Sequence, residues 1–311
     1  MADVLRLEEV QHDPDSVVTL GTFDGVHLGH QALLHYLVER AREQAGRSRV
    51  LTFDPHPREI VRGERVSMLS SLAERAQWIY ALGVREVIVV PFTAELARTG
   101  ATEFVDEVLV NTVGLREVVV GYDFGFGRGR TGNGGLLAEL GRQRGFGVEL
   151  VDPRRVGSDV VSSSEIRRRL LQDGDVRGAA VLLGRTYEMT TVVVSGDGRG
   201  RQIGFPTANL QPVDSRKIVP RIGVYAVRAD LGDGRRLDGM MNIGTRPTFG
   251  ETERRLEVHL LDFDRDIYGS RLRILFVDRL RPERKFRSVD ELVEQLSRDE
   301  QRCRELLSAV P

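Results

Sequence analysis

Two histidines three residues apart, His27 and His30, lie in the stretch Leu20-Gly21-Thr22-Phe23-Asp24-Gly25-Val26-His27-Leu28-Gly29-His30. An apolar run, Val17–Gly21, precedes them and a helical pattern follows. Glycine at Gly25 suits a tight turn, and a three-residue spacing puts both imidazoles on one face of the opening helical turn. A helix start turns free N–H groups and a positive dipole end outward. Two imidazoles there can seat a polyphosphate and donate to oxygens that gain charge when an α-phosphorus is attacked. Gly29 leaves the space between them clear. A lone histidine at such a place is usually an ordinary surface residue; the pair, with Gly21, Gly25 and Gly29 around it, favours function. Zinc is the weaker reading, because two histidines lack the third protein ligand of most zinc sites.

Three further groups of residues bear on phosphate chemistry. Ser162-Ser163-Ser164-Glu165-Ile166-Arg167 reads as a capping box from Ser162 to Glu165, yet its hydroxyls, helix N–H groups and Arg167 also suit phosphate. Gly196-Asp197-Gly198-Arg199-Gly200-Arg201-Gln202-Ile203-Gly204 reads as a flexible loop whose N–H groups can cup an anion. It leads into Phe205-Pro206-Thr207-Ala208-Asn209. If that stretch is extended, Thr207 and Asn209 share a side and offer the neutral oxygens that a phosphate-bound Mg²⁺ needs. Glu257 alternates with Leu256 and Val258. Taken alone, it is a solvent-facing glutamate on an edge strand; the functional alternative is a general base for an alcohol.

Gly127-Arg128-Gly129-Arg130-Thr131-Gly132 matches G-x-G-x-x-G. A dinucleotide fingerprint belongs after the first strand, with an acid about 20 residues on. This one follows a late strand, so a nicotinamide oxidoreductase is the disfavoured alternative.

Two kinds of element must position these groups. In the first half, strands Val17–Gly21, Val50–Phe53, Glu86–Val90, Glu117–Gly121 and Val148–Val151 alternate with helices 31–44, 72–82, 103–113 and 136–144. That order predicts an α/β Rossmann-like domain with a parallel sheet and helices on both faces. Beyond about Gly184, the strands Thr190–Val194, Val224–Ala229, Leu237–Asn242, Leu256–Leu261 and Leu272–Val277 follow one another between Gly, Pro and Asp turns. They predict an antiparallel β-barrel with a C-terminal helix over 289–307. The expected domains are 1–185 and 186–311.

Composition bounds the rest. The chain has 311 residues, 41% hydrophobic and 29% charged, with a formal net charge of -1, which argues against a basic nucleic-acid binder. Lysine occurs only at Lys217 and Lys285, so side-chain anion grips fall to arginine; codon bias accounts for the excess. One cysteine, Cys303, excludes an intrachain disulfide and suits a reducing compartment. Without a membrane-length apolar run or a leader pattern, the expectation is a soluble cytoplasmic protein, monomeric or weakly homo-oligomeric.

The motifs GTFDGVHLGH, TFDPHP (Thr52–Pro57), GYDFGFGRGRTG (Gly121–Gly132), SSSEIR, GDGRGRQIGFPTANL, GVYAV (Gly223–Val227), NIGTRPTF (Asn242–Phe249) and LEVHLLDFDRDIYG (Leu256–Gly269) together resemble the bacterial bifunctional riboflavin kinase/FAD synthetase family over roughly residues 16 to 308. The paired-histidine motif marks a wider nucleotidylyltransferase group; GFPTAN followed by EVHLLDF is more specific. The resemblance implies that the C-terminal module moves the γ-phosphoryl of ATP to riboflavin, and that FMN then attacks the α-phosphorus of a second ATP in the N-terminal module, giving FAD and pyrophosphate. His27 and His30 would stabilise the transferring adenylyl phosphate. That ATP is expected along Gly21, Phe23, Asp24, Gly29, Asp123, Ser163, Ser164 and Arg167. The kinase nucleotide is expected along Gly196, Gly198, Gly200, Gly204, Pro206, Thr207 and Asn209, with Mg²⁺ on Thr207 and Asn209. Glu257 would activate the riboflavin 5′-hydroxyl, and Arg246 and Phe249 are expected near the flavin. Ser164 departs from the usual threonine and Thr186 from a frequent proline. A degenerate, merely regulatory N-terminal half is the other alternative, which intact His27, His30, Ser163 and Arg167 oppose.

Overall fold

The computed structural model describes residues 4–157, 159–196, 199–247 and 252–309. They divide into two compact units, Met1–Ser163 and Ser164–Pro311.

In the first unit, β1 (Leu5–Arg6), β2 (Ser16–Gly21), β3 (Arg47–Asp54), β4 (Glu86–Pro91), β5 (Glu117–Gly121) and β6 (Gly147–Val151) form one sheet in the order β1-β4-β3-β2-β5-β6. Every pairing in it is parallel. Successive residues of β2 point to opposite faces. Val17 packs with Leu34 and Leu37 of α1 (Leu28–Glu43) and Ile79 of α3 (Leu72–Ala81). Val18 and Leu20 pack with Phe104 of α4 (Ala101–Phe104), with Leu109 of the π-helix Val105–Val113 that continues it, and with Leu137 of α5 (Gly134–Arg144). Covering both faces explains the near-continuous apolar strands. The strand order reverses between β2 and β5, and ligands of open α/β sheets bind beyond the carboxyl ends of the strands at such a point.

Two expectations shift. The first helix begins at Leu28, three residues before Gln31, because His27 itself caps it. The helix expected over 103–113 starts as an α-turn and widens to π geometry.

The second unit is built on a closed barrel, β10-β13-β12-β11-β14-β9, from β9 (Tyr187–Val194), β10 (Ala208–Pro212), β11 (Gly223–Asp230), β12 (Arg236–Pro247), β13 (Thr252–Leu260) and β14 (Arg271–Arg281). All six pairings are antiparallel. Leu256, Val258 and Leu260 are buried, so Glu257 stands on the outward row. Closure removes sheet edges, so Glu257 is not on an edge strand: β13 is paired on both sides, by β10 and β12. Helix α7 (Val176–Leu183) also belongs to this unit, where Arg279 of β14 donates to the Asp173 carbonyl at 3.1 Å. Helix α9 (Val289–Ser308) closes on the barrel through Cys303 and Leu307, which pack with Ala226 and Met240. Among the described residues, no helix is long and apolar enough to cross a membrane.

Candidate active sites

The turn after β2 is strained and fastened from behind. Phe23 and Val26 have φ of 47° and 37°, and Gly25 has φ of 80°. A β-branched residue at positive φ costs free energy and persists only where its surroundings impose it. Here they do. The Asp24 carboxylate is fully buried and accepts from the Leu69 and Ser70 N–H groups, each at 3.0 Å, and from Ser70 Oγ at 3.1 Å. Ser70 Oγ in turn accepts from Gly25 N–H at 2.8 Å. The buried guanidinium of Arg75 donates to the Thr22 carbonyl at 2.6 Å, Gln31 Nε2 to the Val26 carbonyl at 2.9 Å, and Ser163 Oγ to the Asp24 carbonyl at 2.9 Å.

This frame sets the histidines. The rings of His27 and His30 stack with centroids 3.6 Å apart and planes 17° apart. Phe23 meets His30 edge-on at 5.1 Å. His27 Nδ1 accepts from His30 N–H at 3.3 Å, which leaves Nε2 as the N–H donor of the neutral ring. A Cβ on Gly29 would lie 3.2 Å from the His27 ring, tight enough to disturb the stack. The turn leaves the carboxyl end of β2, on one side of the reversal point, and Asp123 follows β5 on the other. Thus Gly21, Phe23, Asp24, His27, Gly29, His30, Asp123 and Ser163 belong to one end of one sheet. Phe23 and Asp24 are buried, so they support the turn from inside. Ser164 and Arg167 fall in the other compact unit.

Other residues of the sequence motifs, and the lone cysteine, serve structure. His56 caps α2 (Pro57–Arg62) by accepting from Arg58 N–H at 3.1 Å, and Thr52 Oγ1 donates to the Thr22 carbonyl at 3.2 Å. Within the glycine-rich segment, Gly127 packs on Ala101, 2.6 Å from where its Cβ would be. Cys303 is buried, with its thiol pushed up to about 12 mainly by that burial; it is no nucleophile.

On the barrel, Asn209 of β10 lies directly opposite Glu257 of β13, and Asn242 of β12 flanks Glu257 from the other side. Thr207 stands immediately before β10, two residues ahead of Asn209. Gly196 pairs closely with Asn209: a Cβ there would fall 1.8 Å from Asn209 Nδ2. The loop before β10 is not wholly irregular, since it holds a short helical turn, α8 (Arg199–Gln202), that includes Gly200. His259 fastens the approach to Thr207, with Nδ1 2.7 Å from the Pro206 carbonyl and its ring edge-on to Phe205 at 5.4 Å. Gly204 ends the loop with φ of 84°. A cleft of about 420 Å³ lies in the first unit around Arg42, Arg47 and Arg85; another, of about 570 Å³, runs beside Thr207, lined by Arg201, Val258, Leu260, Phe263 and Tyr268 among others. Gly198 and Phe249 lie outside the described residues, as does the side chain of Arg246.

Sequence reasoning missed Arg75, Ser70, Gln31 and Arg255. Arg255 Nη2 is 2.8 Å from Glu257 Oε1, and Arg255 Nε donates to Asn209 Oδ1 at 3.2 Å. Its signal was available: it stands two residues from Glu257 on the same strand row.

Comparison with known proteins decides the family. The pattern of the FAD synthetase family matches residues 9–165 and that of riboflavin kinase residues 183–307. A bifunctional riboflavin kinase/FMN adenylyltransferase of Listeria monocytogenes is 39% identical over 295 residues, 94% of this chain and 92% of its own. The namesake from Pseudomonas fluorescens is 40% identical over 284 residues, 91% and 90% of the two chains. The chain belongs to the bifunctional riboflavin kinase/FMN adenylyltransferase family. It phosphorylates riboflavin to FMN with ATP and adenylylates FMN to FAD with release of pyrophosphate. A solved structure described as a macrolide-efflux protein from Streptococcus pneumoniae shares the whole architecture of this bifunctional enzyme: TM-score 0.88 and 33% identity, over 97% of this chain and 98% of that one.

Proposed function

We propose that adenylyl transfer runs at the β2–α1 turn and riboflavin phosphorylation at the Thr207–Asn209–Glu257 face of the barrel, within functional domains 1–185 and 186–311. The observation that carries the second assignment is the register that sets Asn209 against Glu257, a metal-ligand type beside a base type. Stacked His27 and His30 at the strand reversal point carry the first.

In adenylyl transfer the FMN phosphate is already an anion, so positioning and charge stabilisation do the work. The histidines donate to the α-phosphate oxygens as charge builds there, the first-turn N–H groups of α1 receive the polyphosphate, and Ser163 and Asp123 complete the ATP grip. In the kinase step, Glu257 accepts the proton of the riboflavin 5′-hydroxyl as its oxygen attacks the γ-phosphorus. Gly196, Gly200, Gly204 and Pro206 shape the loop around the phosphates.

The donor set suits Mg²⁺. Thr207 and Asn209 offer neutral oxygens, and Asn209 Oδ1 already faces a cation, Arg255. A magnesium ion held by these two residues and by phosphate oxygens would neutralise charge on the transferring group. A reduced lone thiol and ATP as substrate suit a cytoplasmic enzyme, and we take it as a monomer or weak homo-oligomer.

Thr207→Val and Asn209→Ala test the placement. Each is expected to raise the Mg²⁺ requirement of FMN formation and to leave FAD formation from supplied FMN unchanged. An equal effect on both reactions would overturn it.

A further inference from the structure

We propose that Arg255 is an electrostatic latch of the kinase site: its guanidinium holds Asn209 and Glu257 together until Mg-ATP displaces it, so that metal arrival and release of the base are one event. This inference rests on the placement of metal and base given above.

The geometry is specific. Arg255 and Glu257 stand two apart on β13 and so share its outward row, and Asn209 faces that row from β10. One guanidinium spans both partners, with Nη2 2.8 Å from Glu257 Oε1 and Nε 3.2 Å from Asn209 Oδ1. Each contacted atom has a second task in the reaction: Asn209 Oδ1 is the oxygen for the metal, and Glu257 Oε1 is an oxygen for the hydroxyl proton. The guanidinium takes up a lone pair on each oxygen and sets a positive charge against both, so it repels a divalent cation approaching Asn209 Oδ1 and ties up one oxygen of the Glu257 carboxylate. The bridge therefore occupies the place of the cation.

The latch also has somewhere to go. The residue paired with Arg255 across β12 is Gly244, which puts no side chain beside it. Glu283 fills that space instead: a Cβ on Gly244 would be 2.8 Å from Glu283 Oε1. A displaced guanidinium thus finds a second carboxylate close by. Arg255 is only partly exposed, 27% of its side chain, and Glu257 21%. Water still reaches the pair, so an arriving dication can compete with the guanidinium for both oxygens, which is what a latch that a substrate must open requires.

The latch opposes the metal, so removing it tightens metal-nucleotide binding, an effect no loss of structural support produces. The experiment titrates the full-length chain with Mg-ADP and follows amide hydrogen exchange of the Ala208–Pro212 strand, alongside the kinase rate. Arg255→Gln is expected to lower the half-saturating Mg-ADP concentration roughly two- to five-fold. Arg255→Lys, which keeps the charge, stays near the parent value. Unchanged or weakened binding in Arg255→Gln, with Asn209→Ala weakening it as placed, overturns the latch alone. If Asn209→Ala leaves Mg-ADP binding untouched, the metal placement fails and the latch with it. FAD formation from FMN reports that the first unit is folded in each variant, and circular dichroism with cooperative urea unfolding reports the same for the barrel.

Discussion

Asn209 and Glu257 face each other across adjacent antiparallel strands, and a single arginine, Arg255, touches both. If Glu257 takes the proton of riboflavin, Glu257→Gln keeps shape and loses the base. FMN formation is expected to fall by about 10²- to 10⁴-fold, the usual worth of a positioned general base. FAD formation from supplied FMN should hold its rate, measured by separating flavins after incubation with Mg-ATP.

The stacked imidazoles make an opposite prediction. His27→Ala with His30→Ala removes two donors from the transferring α-phosphate. The FAD step is expected to slow by at least about 10²-fold, while riboflavin is still converted to FMN at the parent rate. Continued FAD production would reduce the stack to a structural role.

Asp24 acts on the same step from inside. Its buried carboxylate accepts three hydrogen bonds from Leu69 and Ser70. Asp24→Ala leaves two buried N–H groups without that acceptor, at a cost of about 3 kcal/mol, and frees the turn that carries His27. Urea unfolding followed by Trp78 fluorescence, a reporter within the first unit, should show an earlier transition, and the FAD rate should drop with it.

Gly196→Ala tests the kinase side through packing. The new methyl would fall 1.8 Å from Asn209 Nδ2, so the amide must move. At an overpacking cost of about 1–3 kcal/mol, the KM for ATP in FMN formation should rise about tenfold. An unchanged KM would show that the position of Asn209 does not matter.

A pH dependence follows from Glu165. Arg168, and then Arg169, hold its carboxyl down to about 2, from an ordinary 4.5; the contacts are 2.7 Å and 3.0 Å. A carboxylate with a depressed folded-state pKa stabilises fully above its unfolded value and loses that contribution as pH falls towards the folded one. The melting-temperature difference between the parent and Glu165→Gln should therefore be constant above about pH 4.5 and shrink between there and pH 2. A difference that grows on acidification would contradict the ion-pair account.

Strand period and glycine punctuation made both architectures legible, since β2 and β13 bury alternate or continuous apolar rows as their patterns require. His27, His30, Thr207, Asn209 and Glu257 were legible because polar residues stood out against those rows. Arg75, Ser70 and Arg255 were not. Arg75 and Ser70 lie 53 and 45 residues from the atoms they hold, and Arg255 gains meaning only when β10 pairs with β13. Helix 28–43 began early because a histidine is an unusual cap, and Asp24 read as a ligand because its burial depends on a distant loop. Closure of the barrel, which moves Glu257 off an edge, is likewise a property of the whole circuit of strands.

The central claim is that two separate sites on this chain act in series, joined by FMN. Mixing tests it most directly: Glu257→Gln and the His27→Ala/His30→Ala chain, each given riboflavin and Mg-ATP alone, then together. Neither variant alone should make FAD; the mixture should, because FMN released by the histidine variant feeds the intact adenylylation site of the other. A mixture that makes FMN and no FAD, or a variant that loses both reactions, would contradict the account.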